Sequence, residues 1–424
     1  MTTYFIRRLL LTIPTFIGAT LLVFTILQMA PGGPLERTIQ QIQMGSMTTG
    51  EAGGSGGLAV GTSLPKSAML ELKRFYGFDK PGWQRYLIWL GVWPREIKHR
   101  ELVFEQDKLK VQKYMGKGRY VSVTRNGEKL SVINEDGSVN KLWKARLDSK
   151  EDQAEEDKVH GTIFETEFSG IFTGNLGKSY TYQQPVTEVM RPRFRISIFF
   201  GLTGWILSYL VCIPLGIRKA LSHGSPFDFV SSVLIFVAYS IPGWALGGVL
   251  LVLFGGGSFL DIFPLGGFHA QREIWEAFTL WEKVINQLHH AVLPVIAWSI
   301  TSFATLTVLM KNSLLENLSQ DYIRTAFAKG ISEKRVIWFH AMRNSVIPIA
   351  SGIGWILSLV ITGSYLIEKV FNIDGFGKLG FQAILDRDYP ITMGFLVILV
   401  IIKLFANIIS DLALATVDPR IRFK

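Results

Sequence analysis

Cysteine is almost absent from this chain. Of 424 residues only Cys212 is one, and it lies inside an apolar run. A single thiol excludes an intrachain disulfide framework and a cysteine-based metal site. Charge is scarce too: Asp, Glu, Lys and Arg make up 18% of the residues, against roughly a quarter in an ordinary soluble domain. The net charge of +10 has no basic stripe with interleaved aromatics, which excludes nucleic acid as the expected partner. Catalytic patterns are missing: there is no His-Glu-x-x-His, no nucleophile elbow and no pair of carboxylates within the apolar runs. His289 and His290 are adjacent, so on a helix they point about 100° apart and share no face for a metal. Gly177-Lys178-Ser179 looks like the end of a phosphate-binding loop, but the glycine that such a loop needs at its start falls on Phe172. No catalytic residue, bound cofactor or metal is therefore expected.

What the chain has is hydrophobicity. Apolar residues make up 48% of the sequence and the mean hydropathy is +0.28. Six runs reach the length of about 20 apolar residues that a helix needs to cross a bilayer: Leu9 to Met29, Ile196 to Ile217, Phe229 to Phe254, Ala291 to Met310, Val346 to Ile367 and Ile391 to Val417. Each should be helical, because unpaired backbone facing lipid is too costly. Arg7 and Arg8 precede the first run, Arg218 and Lys219 follow the second, and Arg420, Arg422 and Lys424 end the chain. Excess Lys and Arg mark the inner side of a membrane, so both termini are expected in the cytoplasm. Arg191, Arg193 and Arg195 run against that rule, at the end of a very long outer segment where charge bias weighs little. The first run is too long for a signal peptide and no Ala-x-Ala pattern follows Met29, so it reads as an uncleaved helix.

The expected organisation is a first transmembrane helix over 1–30, an outer segment over 31–195, a helical core over 196–417 and a cytoplasmic tail over 418–424. The outer segment begins with a Gly-rich linker, Gly45 to Gly61. Within it, 93–168 reads as a small β-rich module. Leu102-Val103-Phe104 and Leu109-Lys110-Val111 are expected to pair, Tyr120 to Val123 and Leu130 to Ile133 flank the hairpin signal Asn126-Gly127, and Asp136-Gly137 gives a second turn. Asp148 to Lys158 reads as a charged connector. The module is either a docking surface or lid, or an insertion that an exposed loop tolerates.

Between the fourth and fifth runs lies a basic loop, 311–345. It contains Asp321-Tyr322-Ile323-Arg324-Thr325-Ala326-Phe327-Ala328-Lys329-Gly330-Ile331-Ser332 and runs on to His340-Ala341-Met342-Arg343-Asn344-Ser345-Val346-Ile347-Pro348. This stretch resembles the EAA loop of ABC-importer permeases. Further segments match the dipeptide and oligopeptide branch: Ile6-Arg7-Arg8-Leu9-Leu10, Met29-Ala30-Pro31-Gly32-Gly33-Pro34, Glu368-Lys369-Val370-Phe371, Asp374-Gly375-Phe376-Gly377 and Arg387-Asp388-Tyr389-Pro390. Pro31 to Pro34 and Asp374 to Gly377 look most like the microcin C and oligopeptide type. The resemblance covers the chain apart from the module, which splits two outer segments that lie nearly adjacent in the family.

That resemblance implies an all-α membrane protein, a six-helix type I importer permease with a β-rich periplasmic insertion, in a bacterial inner membrane. It implies that Asp321, Arg324, Ala326, Ala328, Gly330, His340, Arg343 and Asn344 belong to a loop docking on an ATPase, with Ala326 and Ala328 small enough for close approach and Gly330 ending the helix. It implies as partners a second permease subunit, two ABC ATPase domains that use ATP and Mg, and a periplasmic binding protein delivering peptides or peptide-like compounds. In the last run Lys403, Asn407 and Asp411 recur every four residues. Either they line a translocation path or pack against a partner, or Lys403 snorkels and Asp411 reaches the headgroups. A different class, a membrane-anchored sensor with an outer recognition module, is the alternative; it gives no reason for six spans or for the loop.

Overall fold

The computed structural model describes residues 2–40, 66–105, 109–116, 119–127, 129–134, 136–140, 143–147, 158–257, 259–353 and 363–417. The Gly-rich linker, most of the 148–158 connector and the tail lie outside them. Contacts divide the chain into two compact units, Leu21–Ser179 and Met1–Thr20 with Tyr180–Lys424. Helix α1, Thr2–Met29, carries its polar residues cheaply. The hydroxyls of Thr12, Thr15, Thr20 and Thr25 each donate to a carbonyl four residues back, at 3.1, 2.8, 2.8 and 2.8 Å, as an apolar solvent requires.

In the first unit, α2 (Lys66–Tyr76) turns at Gly77 into α3 (Gly82–Leu90). Six strands follow: β1 (Arg95–Glu105), β2 (Lys110–Gly116), β3 (Arg119–Asn126), β4 (Lys129–Asn134), β5 (Trp143–Leu147) and β6 (Lys158–Glu167). They form two three-stranded antiparallel sheets, β1-β6-β5 and β2-β3-β4. The β3-β4 hairpin forms at Asn126 and Gly127 as the sequence indicates. The expected pairing of Leu102–Phe104 with Leu109–Val111 does not form. β1 pairs instead with β6, Phe104 opposite Val159, while β2 pairs with β3, Val111 opposite Val123. Pairing its first strand with its last closes the module on itself and brings its ends together. Alternate residues then point inward, so Leu102, Phe104, Val121, Val123, Val132 and Ile163 make one buried core between the sheets.

Charged groups tie this module to the helices before it. Glu96 on β1 lies 3.1 Å from Lys80 and 3.2 Å from Arg146, and Arg146 also reaches Asp79 at 3.0 Å. Burial pushes the Glu96 carboxyl up, but His99, Arg146 and Lys80 outweigh it and hold the pKa down at about 2.

The second unit is built on α4 (Val186–Leu221), α5 (Pro226–Ser240), α6 (Gly243–Phe254) and α7 (Leu280–Leu318). It continues with α8 (Asp321–Ala328), α9 (Tyr365–Val370), α10 (Phe376–Leu385) and α11 (Tyr389–Val417). Among the described residues four helices are long and apolar enough to cross a membrane, and α5 with α6 gives a fifth if that bent pair is one span. The expected span from Phe229 to Phe254 breaks between Ser240 and Gly243 with a bend of 95°. Pro242 lacks the N–H that would continue the ladder and drives Ile241 into extended backbone, φ −94° and ψ 121°. The expected span from Val346 to Ile367 is helical over 347–353; its middle, 354–362, lies outside the described residues.

Helices α4 and α7 form the axis of this unit. They cross closely because Gly216 has no side chain: a Cβ there would sit 2.7 Å from Met310 and 2.8 Å from the Thr307 carbonyl. Arg193, which runs against the charge rule expected from the sequence, meets Asp374 at 3.0 Å. Glu368 is wholly buried and accepts hydrogen bonds from the Ser197 hydroxyl at 2.7 Å and the Lys378 N–H at 2.6 Å, so one carboxylate fastens α4, α9 and the start of α10.

Candidate coupling loop and its supports

After α7 the chain turns at Ser319 and Gln320 into α8, an amphipathic helix of two turns. Ile323 and Ala326 face inward and are buried; Asp321, Arg324, Thr325, Phe327 and Ala328 face out. Gly330 ends the helix at φ +75°, its N–H bonding the Phe327 carbonyl at 2.9 Å while the Ile331 N–H returns to the Ala326 carbonyl at 3.3 Å. This pair of bonds is a Schellman closure, and the left-handed residue it requires is glycine. The chain then climbs through Glu333–Arg335, a wide π-type turn over Val336–Ala341 and a helical turn Met342–Ser345.

One buried cluster holds the loop to the bundle. It joins Ile217 and Ala220 of α4, Met310 and Leu314 of α7, Ile323 and Ala326 of α8, and Val336, Ile337, Ala341 and Met342 beyond the turn. Polar contacts fix the geometry further. Asn344 donates to the Tyr322 hydroxyl at 3.1 Å, Tyr322 donates to the Asn317 carbonyl oxygen at 2.9 Å, and Ser313 donates to the Ser345 carbonyl at 2.9 Å. The loop is thus one packed body with the C-terminal ends of α4 and α7.

The site residues expected from the sequence separate into two sets. Asp321, Arg324, Ala328, Gly330 and Arg343 are exposed; His340 and Asn344 are half-buried; Ala326 is buried. Ala326 therefore serves packing inside the loop, and the small residue on its outer face is Ala328. Sequence reasoning missed the large apolar side chains on that outer surface, Phe327, Trp338 and Phe339, at 45%, 53% and 72% exposure. The signal was present: Val336-Ile337-Trp338-Phe339 is an apolar run within a basic loop, and a short helix buries only part of such a run.

On α11, Lys403 and Asn407 are exposed on one face, one turn apart. Asp411 forms an ion pair with Arg8 of α1. The neighbouring Ser410 hydroxyl donates to the Ser351 carbonyl.

Beside the loop is a charge cluster that the sequence reading also missed. Asp228, in the first turn of α5, is 5% exposed, and both its oxygens lie 2.8 Å from Lys311 of α7. Lys219 of α4 reaches it at 3.1 Å. The Gly224 N–H, at 3.3 Å, also points to the Asp228 carboxylate. The sequence signal was an acid and a lysine each at the edge of an apolar run, where an unpaired charge is expensive.

Residues 212–423 match the family described as binding-protein-dependent transport system inner membrane component. The peptidoglycan transport system permease protein YejB of Agrobacterium fabrum is 32% identical over 425 residues, covering 100% of this chain and 99% of that protein. The inner membrane ABC transporter permease protein YejB of Escherichia coli O157:H7 is 32% identical over 444 residues, and the oligopeptide transport system permease protein AppB of Bacillus subtilis is 26% identical over 426, each covering 100% of both chains. The match spans half of the sequence by the family description and all of it by these relatives, so the chain belongs to the binding-protein-dependent transport system inner membrane components, as a permease.

Proposed function

We propose that this chain is the transmembrane permease subunit of an ATP-driven importer for peptides or peptide-like compounds. The observation that carries the reading is the loop: a packed body at the inner ends of α4 and α7 that leaves Phe327, Ala328, Trp338 and Phe339 uncovered. Exposed apolar surface on a rigid body is a surface for another protein. Its partner is an ABC ATPase, which supplies the ATP and Mg chemistry; Asp321, Arg324, Gly330, His340, Arg343 and Asn344 shape or rim the contact. A second permease subunit completes the channel, because one loop serves one ATPase domain and the engine has two. Lys403 sits in the apolar middle of α11 and faces away from this chain's core; a charge there costs about 3 kcal/mol or more in lipid, so together with Asn407 it lines the path or meets that second subunit. Both termini lie in the cytoplasm, and a periplasmic binding protein delivers substrate. The relatives' names print peptides and peptidoglycan, which supports peptides, including those that carry sugar, as the substrate class of this reading.

The test is reconstitution in proteoliposomes with the partner permease, the ATPases and the binding protein, using labelled tri- to pentapeptides and a peptidoglycan-derived peptide. ATP-dependent uptake that needs this chain is the expected result. Uptake without ATP, or uptake by this chain alone, would overturn the reading.

A further inference from the structure

Helix α5 hangs from the bundle by very little. Of its side chains only Asp228 and Ile235 are buried, while Phe229, Val230, Leu234, Phe236 and Val237 are all more than half exposed. Asp228 is therefore its main attachment at the inner end, and the two lysines that hold Asp228 come from α4 and α7. Lys219, itself 1% exposed, donates to the Asp228 backbone carbonyl at 2.8 Å and to the Ser231 and Ser232 hydroxyls at 2.7 and 2.8 Å, besides its ion pair with the carboxylate. Every proton of that ammonium has a partner on the first turns of α5. His223 and the Gly224 N–H, both 3.3 Å from Asp228, close the remaining side.

The two lysines stand on the turns that hold the coupling loop. Lys219 lies between Ile217 and Ala220, and Lys311 follows Met310; all three apolar residues are in the cluster that packs Ile323 and Ala326 of α8. A displacement of the loop that carries these turns of α4 and α7 acts directly on Asp228. Below Asp228 stands the broken span, with its 95° bend at Pro242.

We propose that Asp228, Lys219 and Lys311 form the joint through which the coupling loop moves the bent span α5–α6. The proposal rests on the importer reading above, and the three are positioning residues that act through the helices they connect. A buried pair that loses one partner leaves an uncompensated charge, so the joint fails when either side is neutralised and survives when the charge is kept.

The test uses the full complex with the Asp228→Asn, Lys311→Met and Lys311→Arg variants. Peptide uptake, substrate-stimulated ATP hydrolysis and assembly are measured for each. Asp228→Asn and Lys311→Met should assemble and hydrolyse ATP near the wild-type rate, while the peptide moved per ATP falls roughly tenfold or more; Lys311→Arg should keep the wild-type ratio, since guanidinium also binds a carboxylate with two bonds. A merely structural role lowers uptake and hydrolysis together, so an unchanged ratio overturns the proposal. Failure of both neutral variants to assemble overturns it as well, because the cluster is then only a support. A wild-type complex without ATP-driven uptake would instead remove the importer reading; an active wild type matched by an equally active Asp228→Asn removes the joint alone.

Discussion

Gly330 offers the cleanest test of the proposed coupling role of the loop because its substitution has a single physical consequence. Its φ is +75°, and a Cβ built there meets nothing within 4 Å. No clash complicates the reading, so the cost of a side chain is that of holding an L-residue in the left-handed region, roughly 1–2 kcal/mol, with β-branched residues worst and asparagine best tolerated. Set against the local opening of the turn, that cost lowers the ratio of closed to open turn by about 5- to 30-fold. The bonds at stake are those from the Gly330 and Ile331 N–H groups to Phe327 and Ala326. The buried cluster around Ile323 and Ala326 should keep the loop attached, and the spans do not involve this turn. Membrane insertion and assembly should therefore survive, while ATP-driven uptake falls in the order Gly, Asn, Ala, Val. The assay is uptake and ATPase stimulation in the reconstituted complex for Gly330→Asn, Gly330→Ala and Gly330→Val. Equal uptake across the series would refute the claim that this closed turn is needed for coupling.

Three further outcomes follow from particular contacts. Ala328→Trp, on the outer face, should abolish co-purification of the ATPase while leaving thermal stability within about 0.5 kcal/mol of wild type; Ala326→Trp, whose site is buried, should cost about 1–3 kcal/mol by overpacking and lower stability first, and the reverse pattern would exchange their roles. For Glu96, whose folded pKa is depressed to about 2, the stabilisation is present above the unfolded value near 4.5 and is lost as pH falls through 2. The shift corresponds to at most about 3 kcal/mol, and to roughly 1–2 kcal/mol once solvent screening is allowed for. Protease resistance of the outer segment should therefore drop between pH 4.5 and 2 in the wild type and more weakly in Glu96→Gln; parallel curves would sink the argument. Excision of 95–167 should be mild, because β1 and β6 pair end to end and a Cβ on Gly170 would lie 2.3 Å from the Gly91 nitrogen, so a bridge of two or three residues spans the gap; failure of the shortened chain to assemble with its partners would show the module to be part of the bundle.

How much of this was legible in the sequence depends on how local each cause is. Gly330 was legible because the residue type and the conformation it permits are one fact. The hairpin at Asn126 and Gly127 was legible for the same reason. Strand β1 was not: its partner is β6, about 60 residues on, and local pairing with β2 looked as good until closure of the whole module was considered. Pro242 marks where the Phe229 to Phe254 run kinks, but the size of that bend, 95°, is not written in the run itself. Asp228 was the hardest, since its partners stand 9 residues before it and 83 after, and nothing in a linear reading brings Lys219 and Lys311 to one carboxylate.

The two alanines show where sequence and structure exchange information. Both are small and both fall in the family's register, but two residues on a helix are about 200° apart, so only one can face a partner. The phase of α8 is set by Ile323, which must be inside, and Ala326 follows it inward while Ala328 turns out. The same logic applies after the turn. Val336 and Ile337 are consumed by the core, which leaves Trp338 and Phe339 with no burial to justify them within this chain. An apolar run longer than the core beneath it can use is a surface waiting for a neighbour, and in the same loop Ala328 stands exposed as a small residue that lets a neighbour approach closely.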